Sequence, residues 1–477
     1  MATFKDYEKH DAIGLAELVR KRDVTPIELL DAAIERIERL NPKINAIVHR
    51  MDVEARRAIA AGLPDGPFRG VPFALKDLYQ LYAGQPTLNG SRSFEGFVAD
   101  HDSTLTERYK AAGLVIMAKT STPEFGLNMT TEPAVHGPTR NPWNTALSAG
   151  GSSGGAAAAV AAGMLPAAHA TDGGGSIRIP AANCGLVGLK PTRARLPAGP
   201  DVGEGWSGLA SGHVVTKSVR DSAAFLDATH GPAPGDPYCA PAPKRPFLSE
   251  IGADPGRLRI ALITEGALGE PVDPVCKDAA RDAAKLCESL GHRVENTTYA
   301  YDAEGLRFAL RTIIAANIKN NLDLRGAARK RPIAEGEVER ATWALAQEGA
   351  RQSAAEYARA IFTVHRIGRQ LAAFMAHCDV ILSPTLGGPP MALGTVDMMG
   401  PPERYFDELA ARIPFTPLYN ATGHPAISIP LYWTADGISI GVHIGGRFGD
   451  EGTLFRLASQ LETAQPWAKR YPARVGA

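Results

Sequence analysis

Three stretches of the chain carry side chains that could do covalent chemistry. "GGSSGGAAAAVAAG" (150–163) sets Ser152 and Ser153 between two pairs of glycines, and "TDGGGSIRIPAANCGLVGLKPT" (171–192) sets Ser176 behind three more. "VPFALKDLY" (71–79) ends an apolar run on Lys76. A serine hydroxyl is a weak nucleophile until a base takes its proton, and a lysine serves as that base only when neutral. Desolvation at the end of an apolar run would lower the Lys76 pKa and supply the neutral amine. The backbone N–H groups of Gly173, Gly174, Gly175 and Ser176 could converge on a developing oxyanion. Asp172 and Arg178 flank that loop at positions where they could pair and fix it.

The glycine-rich pattern admits competing chemistry. A phosphate cradle requires G-x-x-x-x-G-K-[ST], or G-x-G-x-x-G with an acidic residue about twenty positions on, and neither is present. Gly151 to Gly155 formally satisfies G-x-S-x-G with Ser153 in the centre. That esterase reading needs a strand before it and an acid and a histidine after it. His424 and His443 follow, so it stays open at this level. A flexible linker is at odds with the run of small residues that follows, which suits a closely packed helix. His169, in "PAAHA", reads as a packed side chain rather than a base.

Taken together with "AKTSTPEFG", "GPTRNPWN", "DVILSPT" and "YNATGHPAISIPL", the three stretches resemble the amidase signature family, whose hydrolases use a Ser-cisSer-Lys triad. Carried over by motif, the resemblance implies Ser176 as nucleophile, Ser152 as a bridging serine after a cis peptide and Lys76 as base. Ser153 becomes a supporting residue, with Asp172 and Arg178 behind the loop. Gly173, Gly174 and Gly175 would form the oxyanion hole. Gly126, Asn128 and Met129 of "FGLNMTT" would approach the substrate. Gly173 stands where the family often carries Ile or Thr, which predicts a wider oxyanion region.

The implied function is serine amidohydrolysis through an acyl-enzyme. The C–N bond cleaved belongs to an uncharged, fairly apolar carboxamide, with anilides, esters and carbamates (urethanes) within reach of the same triad. Two alternatives accompany it: a hydrolase of the 6-aminohexanoate cyclic dimer, a nylon by-product, and the glutaminase subunit of a tRNA-dependent amidotransferase. No metal and no cofactor is implied. The expected partner is a small-molecule amide, with a homodimer left open as the assembly.

The elements that must hold these residues are partly readable. In "TPIELLDAAIERIERLNP", Thr25 and Glu28 form a capping box, Pro26 takes the first helical position, and Ile27, Leu30, Ile34 and Ile37 recur at helical spacing. Apolar runs at 71–75, 114–119, 186–190, 257–264, 379–385, 424–431 and 438–446 read as strands. The last two are joined by a hairpin through Asp436-Gly437. Residues 302–378 read as helical and pocket-lining, completed by "MMGPPERYF" (398–406). The Pro- and Gly-rich stretch 230–247 fits either an interdomain linker or a surface connection. The resulting expectation is an α/β amidase signature fold: one domain over 1–477, N-terminal helices at about 11–41, and a large mixed sheet covered by helices on both faces.

Composition bounds the rest. A chain of 477 residues with 44% apolar and 21% charged side chains can bury a sizeable core. Lys and Arg total 51, as do Asp and Glu, and no run of like charge marks a nucleic-acid or anionic membrane partner. Five cysteines without a C-x-x-C pair point away from a disulfide framework or a zinc site and towards a reducing cytoplasm. The polar N-terminus lacks the apolar core of a signal peptide, and the longest small-apolar run is too short to span a bilayer.

Overall fold

Local chemistry accounts for the first long helix. The Glu28 N–H donates to Thr25 Oγ1, and the Thr25 N–H donates to Glu28 Oε2 at 2.8 Å, closing the capping box ahead of Pro26–Ile44. Leu30, Ala33, Ile37, Leu40 and Ile44 form its buried stripe. With Ala12–Lys21 it makes the helical N-terminal layer. The computed structural model describes residues 4–472.

Two sheets matter for the site. A three-stranded sheet pairs Val115–Thr120 with Ile47–Arg50 on one side, antiparallel, and with Pro72–Lys76 on the other, parallel. An eight-stranded sheet runs in the order Arg293–Asn296, Arg259–Leu262, Val380–Pro384, Ser439–Gly446, Ala426–Trp433, Val187–Lys190, Ser211–Thr216 and Ala167–Asp172. The first two neighbouring pairs are parallel and the others antiparallel, so the sheet is mixed.

Side-chain alternation shows why the strands read as continuous apolar runs. Ile260, Leu262, Val380 and Leu382 pack into one cluster with Ala279, Ala283, Leu454 and Leu457, from the helices Pro274–Ser289 and Glu451–Ala464. Ala261 and Ile381, one residue out of phase, pack into another with Ile313, Val364 and Leu371, from Ala303–Ala328 and Ala354–Phe374. Both faces are covered, and a strand buried on both sides has no polar face to show.

Several sequence expectations change here. Strands on both sides of 230–247 share the large sheet, which favours a surface connection for that stretch over a linker. The stretch before the serine pair, "TRNPWNTALSAG", contains the paired strands Arg140–Asn141 and Asn144–Ser148. Ala167–Asp172 and Ser211–Thr216 are strands that small and polar residues hide from pattern reading. The hairpin through Asp436-Gly437 is present, with Trp433 opposite Ser439. Among the described residues, no helix is long and apolar enough to cross a membrane.

Candidate active site

Lys76 is the last residue of a strand whose five side chains are all buried. Ser152 and Ser153 occupy the turn before the wholly buried helix Gly154–Ala161, and the Gly151-Ser152 peptide is cis. A side chain at position 151 would bring its Cβ to 2.6 Å from the Asn128 carbonyl oxygen, so only glycine lets this turn press against the 128–130 segment. Ser176 follows the strand Ala167–Asp172, and the Ser153 N–H donates to its carbonyl at 3.2 Å, which joins the two serine loops.

The Lys76 amine lies 2.7 Å from Ser152 Oγ, 2.9 Å from Thr171 Oγ1 and 3.0 Å from Ser153 Oγ. Burial pulls its pKa well below the ordinary lysine range, and the negative charge of Asp172 offsets only part of that pull. A neutral amine has two N–H donors and one lone pair. Ser153 Oγ can give its proton to the Thr171 carbonyl at 3.2 Å, which frees it to accept from Lys76. With Thr171 Oγ1 as the second acceptor, the Ser152 hydroxyl, at the shortest distance, is left to donate to the lone pair.

Asp172 and Arg178 form a fully buried pair, Oδ2 to Nε and Oδ1 to Nη2, both at 2.9 Å. Burial alone would raise the Asp172 carboxyl; the Arg178 guanidinium, with the hydrogen bonds from Arg178 and Asn420, holds it well below the usual carboxylate range. The carboxylate also accepts from the Gly175 N–H at 2.7 Å, the Ile177 N–H at 3.1 Å and Asn420 Nδ2 at 2.9 Å. The loop that carries Ser176 is thereby wrapped around one buried charge. Gly175 needs correcting as an oxyanion donor, because its N–H is taken by Asp172. Among the described residues the N–H groups of Gly173, Gly174 and Ser176 have no partner, and neither does the Ser176 hydroxyl.

Ser176, Gly173 and Gly174 face a cavity of about 770 Å³. Gly126, Asn128 and Met129 line it, and the Asn128 amide is occupied by the Val396 carbonyl at 2.8 Å. Gly126, at φ +72°, approaches Ser152 so closely that a Cβ there would lie 3.1 Å from its Oγ and 2.8 Å from Leu78 Cδ2. Of the 302–378 region, the helix Ala303–Ala328 and Leu345 reach the cavity; Ala354–Phe374 does not. Tyr405 and Phe406 line it, whereas Met398 is packed in the core and Met399 points to solvent.

The esterase reading fails on geometry. Ser153 is fully buried and absent from the cavity wall. His443 is bound to Arg178 Nη1 at 3.0 Å instead of facing Ser153. His169 accepts the Lys76 backbone N–H at 3.3 Å, and burial pushes its pKa down to about 3, which leaves it a neutral packed group. Sequence reasoning missed Thr171, Thr416, Asn420 and Trp206. Thr416 Oγ1 donates to the Gly174 carbonyl at 2.7 Å, and Asn420 ties the Asp172 carbonyl to that of Leu209. Asn420 lies inside the matched stretch "YNATGHPAISIPL", the one signal that could have drawn attention to it.

The family model "Amidase" matches residues 28–455. The chain belongs to the amidase signature family. It is an enzyme acting on amide bonds. It is similar to the 6-aminohexanoate-cyclic-dimer hydrolase of Paenarthrobacter ureafaciens, with 39% identity over 97% of this chain and 96% of that one. Among solved structures, 6-aminohexanoate cyclic dimer hydrolase complexed with substrate superposes with a TM-score of 0.92 at 37% identity, over 98% of this chain and 99% of the other. A bacterial aryl acylamidase of the same family superposes with a TM-score of 0.88 at 28% identity, over 98% and 99% of the two chains.

Proposed function

We propose that this amidase cleaves uncharged, predominantly apolar secondary carboxamides through an acyl-enzyme on Ser176. The carrying observation is the buried Lys76 amine, ringed by three hydroxyl oxygens within 3.0 Å, in a serine turn whose Ser153 N–H is bound to the carbonyl of Ser176, which opens to an apolar-walled cavity. An ordinary lysine at pH 7 is neutral in roughly one molecule in 2,500. Burial lowers the Lys76 pKa and so enlarges the neutral fraction.

In the acylation step the Ser176 hydroxyl, unpartnered at rest, turns to Ser152 Oγ and attacks the carbonyl carbon as its proton passes to Ser152 Oγ and the Ser152 proton passes to Lys76 Nζ. The oxyanion is met by the N–H groups of Gly173, Gly174 and Ser176. Collapse breaks the C–N bond, and the relay runs backwards to protonate the leaving nitrogen. Water then enters the same path and releases the acid.

Leu127, Met129, Ile179, Phe308, Ile314 and Leu345 give the cavity its apolar wall. Its two arginines are already matched, Arg311 by Glu348 at 2.6 Å and Arg307 by Glu304 at 3.8 Å, so neither offers an unpaired site for an anionic substrate. The 6-aminohexanoate cyclic dimer is an uncharged amide ring with apolar spacers, and the relatives' activity makes it the first compound to try. A panel of linear amides, anilides, that cyclic dimer and carbamates, read by mass spectrometry with Ser176→Ala as blank, tests the reading. Wild-type turnover retained by Ser176→Ala would refute it, as would a preference for glutamine.

A further inference from the structure

The chain puts glycine at position 173, yet the space beside it is filled. A Cβ on Gly173 would come within 2.8 Å of Trp206 Cε3 and Cζ3, and the third nearest atom is also on that indole. At Gly174, one residue on, a Cβ would meet nothing within 4 Å. The Gly173 backbone is outside the left-handed region, so nothing in its own conformation demands glycine. Trp206 is what demands it.

Trp206 is partly buried and lines the same cavity as Ser176, Gly173 and Gly174. The loop that delivers it is held from several sides. Trp206 and Ser207 are consecutive non-glycine residues at φ 49° and 55°, an uncommon conformation that persists where the surroundings over-determine it. The Ser207 hydroxyl is hydrogen-bonded to the Tyr357 hydroxyl, and Asn317 Nδ2 approaches it at 3.5 Å. The Leu209 carbonyl accepts from Asn420 Nδ2 at 3.0 Å, the same amide that holds Asp172. The Gly208 carbonyl accepts from Arg193 Nε at 2.6 Å. The loop that carries the indole is thus tied to the network that shapes the Ser176 loop, and the expected widening at Gly173 does not occur.

We propose that Trp206 is a specificity-determining residue: its ring replaces a side chain at position 173 as the wall beside the oxyanion cradle and excludes substrates branched at the carbon next to the scissile carbonyl. The inference rests on Ser176 being the nucleophile. A carbonyl oxygen seated on the Gly173 and Gly174 N–H groups brings its attached carbon up against the indole. Removing the ring opens room for a branch, and adding a methyl at 173 forces the ring out of place.

The test compares kcat/KM for the p-nitroanilides of hexanoic and 2-ethylhexanoic acid across wild type, Trp206→Ala, Trp206→Phe, Gly173→Ala and the double variant Gly173→Ala/Trp206→Ala. Trp206→Ala should raise the branched-to-linear ratio about tenfold or more, the scale at which a pocket discriminates small apolar groups. Trp206→Phe, which keeps an aromatic ring in the loop, should fall between. Gly173→Ala should lower turnover of the linear substrate at least about tenfold, and adding Trp206→Ala should restore most of it, as expected when two residues share one space. A branched-to-linear ratio that stays within twofold of wild type in both Trp206 variants overturns the proposal. So does a double variant no better than Gly173→Ala. If wild type releases p-nitroaniline and Ser176→Ala does not, either result counts against Trp206 alone. If wild type cleaves neither anilide nor any amide of the panel, the Ser176 reading fails and this inference falls with it.

Discussion

Asp172→Asn is the substitution that most directly probes the buried charge behind Ser176. Oδ1 accepts from the Gly175 N–H, Arg178 Nη2 and Asn420 Nδ2, and Oδ2 accepts from the Ile177 N–H and Arg178 Nε, all between 2.7 and 3.1 Å. An amide is nearly isosteric, but whichever oxygen it replaces becomes an NH2 facing two or three donors. The Arg178 guanidinium is fully buried and would lose its counter-charge, keeping only neutral partners in Thr416, His443 and Asn420. Breaking one side of a buried ion pair costs about 3–5 kcal/mol, a large part of the roughly 5–15 kcal/mol that holds a domain folded. Loosening the loop that aims the Gly173 and Gly174 N–H groups adds a catalytic loss of about 10²–10³ in kcat, the effect of removing an oxyanion donor. Guanidinium unfolding followed by tryptophan fluorescence reads the first, and anilide turnover reads the second.

The same variant carries a pH signature. The Asp172 pKa is depressed in the fold, so its stabilisation is present above the unfolded value near 3.9 and is lost as pH falls towards the folded one. Wild type should therefore lose its advantage over Asp172→Asn as the solution is acidified below about pH 4. A variant within 1 kcal/mol of wild type at pH 7, with unchanged kcat, would refute the role given to this carboxylate.

Lys76 makes the pH profile of catalysis informative. Because burial lowers its pKa and the proposed base acts when neutral, the acid limb of kcat/KM should lie well below the ordinary lysine range, with activity falling as the solution is acidified through it. Lys76→Ala should remove that limb along with most of the rate, and an unchanged profile would exclude Lys76 as base. Ser152→Ala should lower kcat by about 10²–10⁴, the usual worth of a proton-transfer group. Ser153→Ala should chiefly destabilise, by about 1–3 kcal/mol, because the half-buried Thr171 N–H loses its Ser153 acceptor; equal kcat losses for the two serines would contradict the relay. Away from the nucleophile, burial and then the neighbouring Glu124 push the Glu339 carboxyl up to about 8. The folded state then holds an extra proton between the unfolded pKa and about 8, so ionisation erodes stability as pH rises through that window. Glu339→Gln should melt higher than wild type at pH 9 and about the same at pH 5; a difference independent of pH would count against it.

What could be read in the sequence was what is written in contiguous residues. The capping box of Thr25 and Glu28, the strands at 72–76, 115–120, 380–384 and 439–446, and the hairpin at Asp436-Gly437 follow from spacing and turn chemistry. The strands missed, Ala167–Asp172 and Ser211–Thr216, gain their stability by pairing with each other across the chain, Ala167 opposite Thr216 and Asp172 opposite Ser211; their own composition gives little sign of it. Lys76, Ser152, Ser176 and the Asp172–Arg178 pair stood out because each sits in a short motif of glycines and apolar neighbours. Motif reasoning went too far at Gly175, whose N–H could be seen to point at Asp172 only in the folded loop.

The sequence by itself determined which side chains were available for chemistry, and therefore the family and the class of reaction. Tertiary structure decided which proton each group holds and how much room the reaction has. Burial of Lys76 among three hydroxyls, the hold of Thr416 and Asn420 on the Ser176 loop, and the indole of Trp206 over Gly173 all join segments that lie far apart in the chain. Desolvation and close packing depend on everything within a few ångströms of a group, and one-dimensional order does not reveal those neighbours.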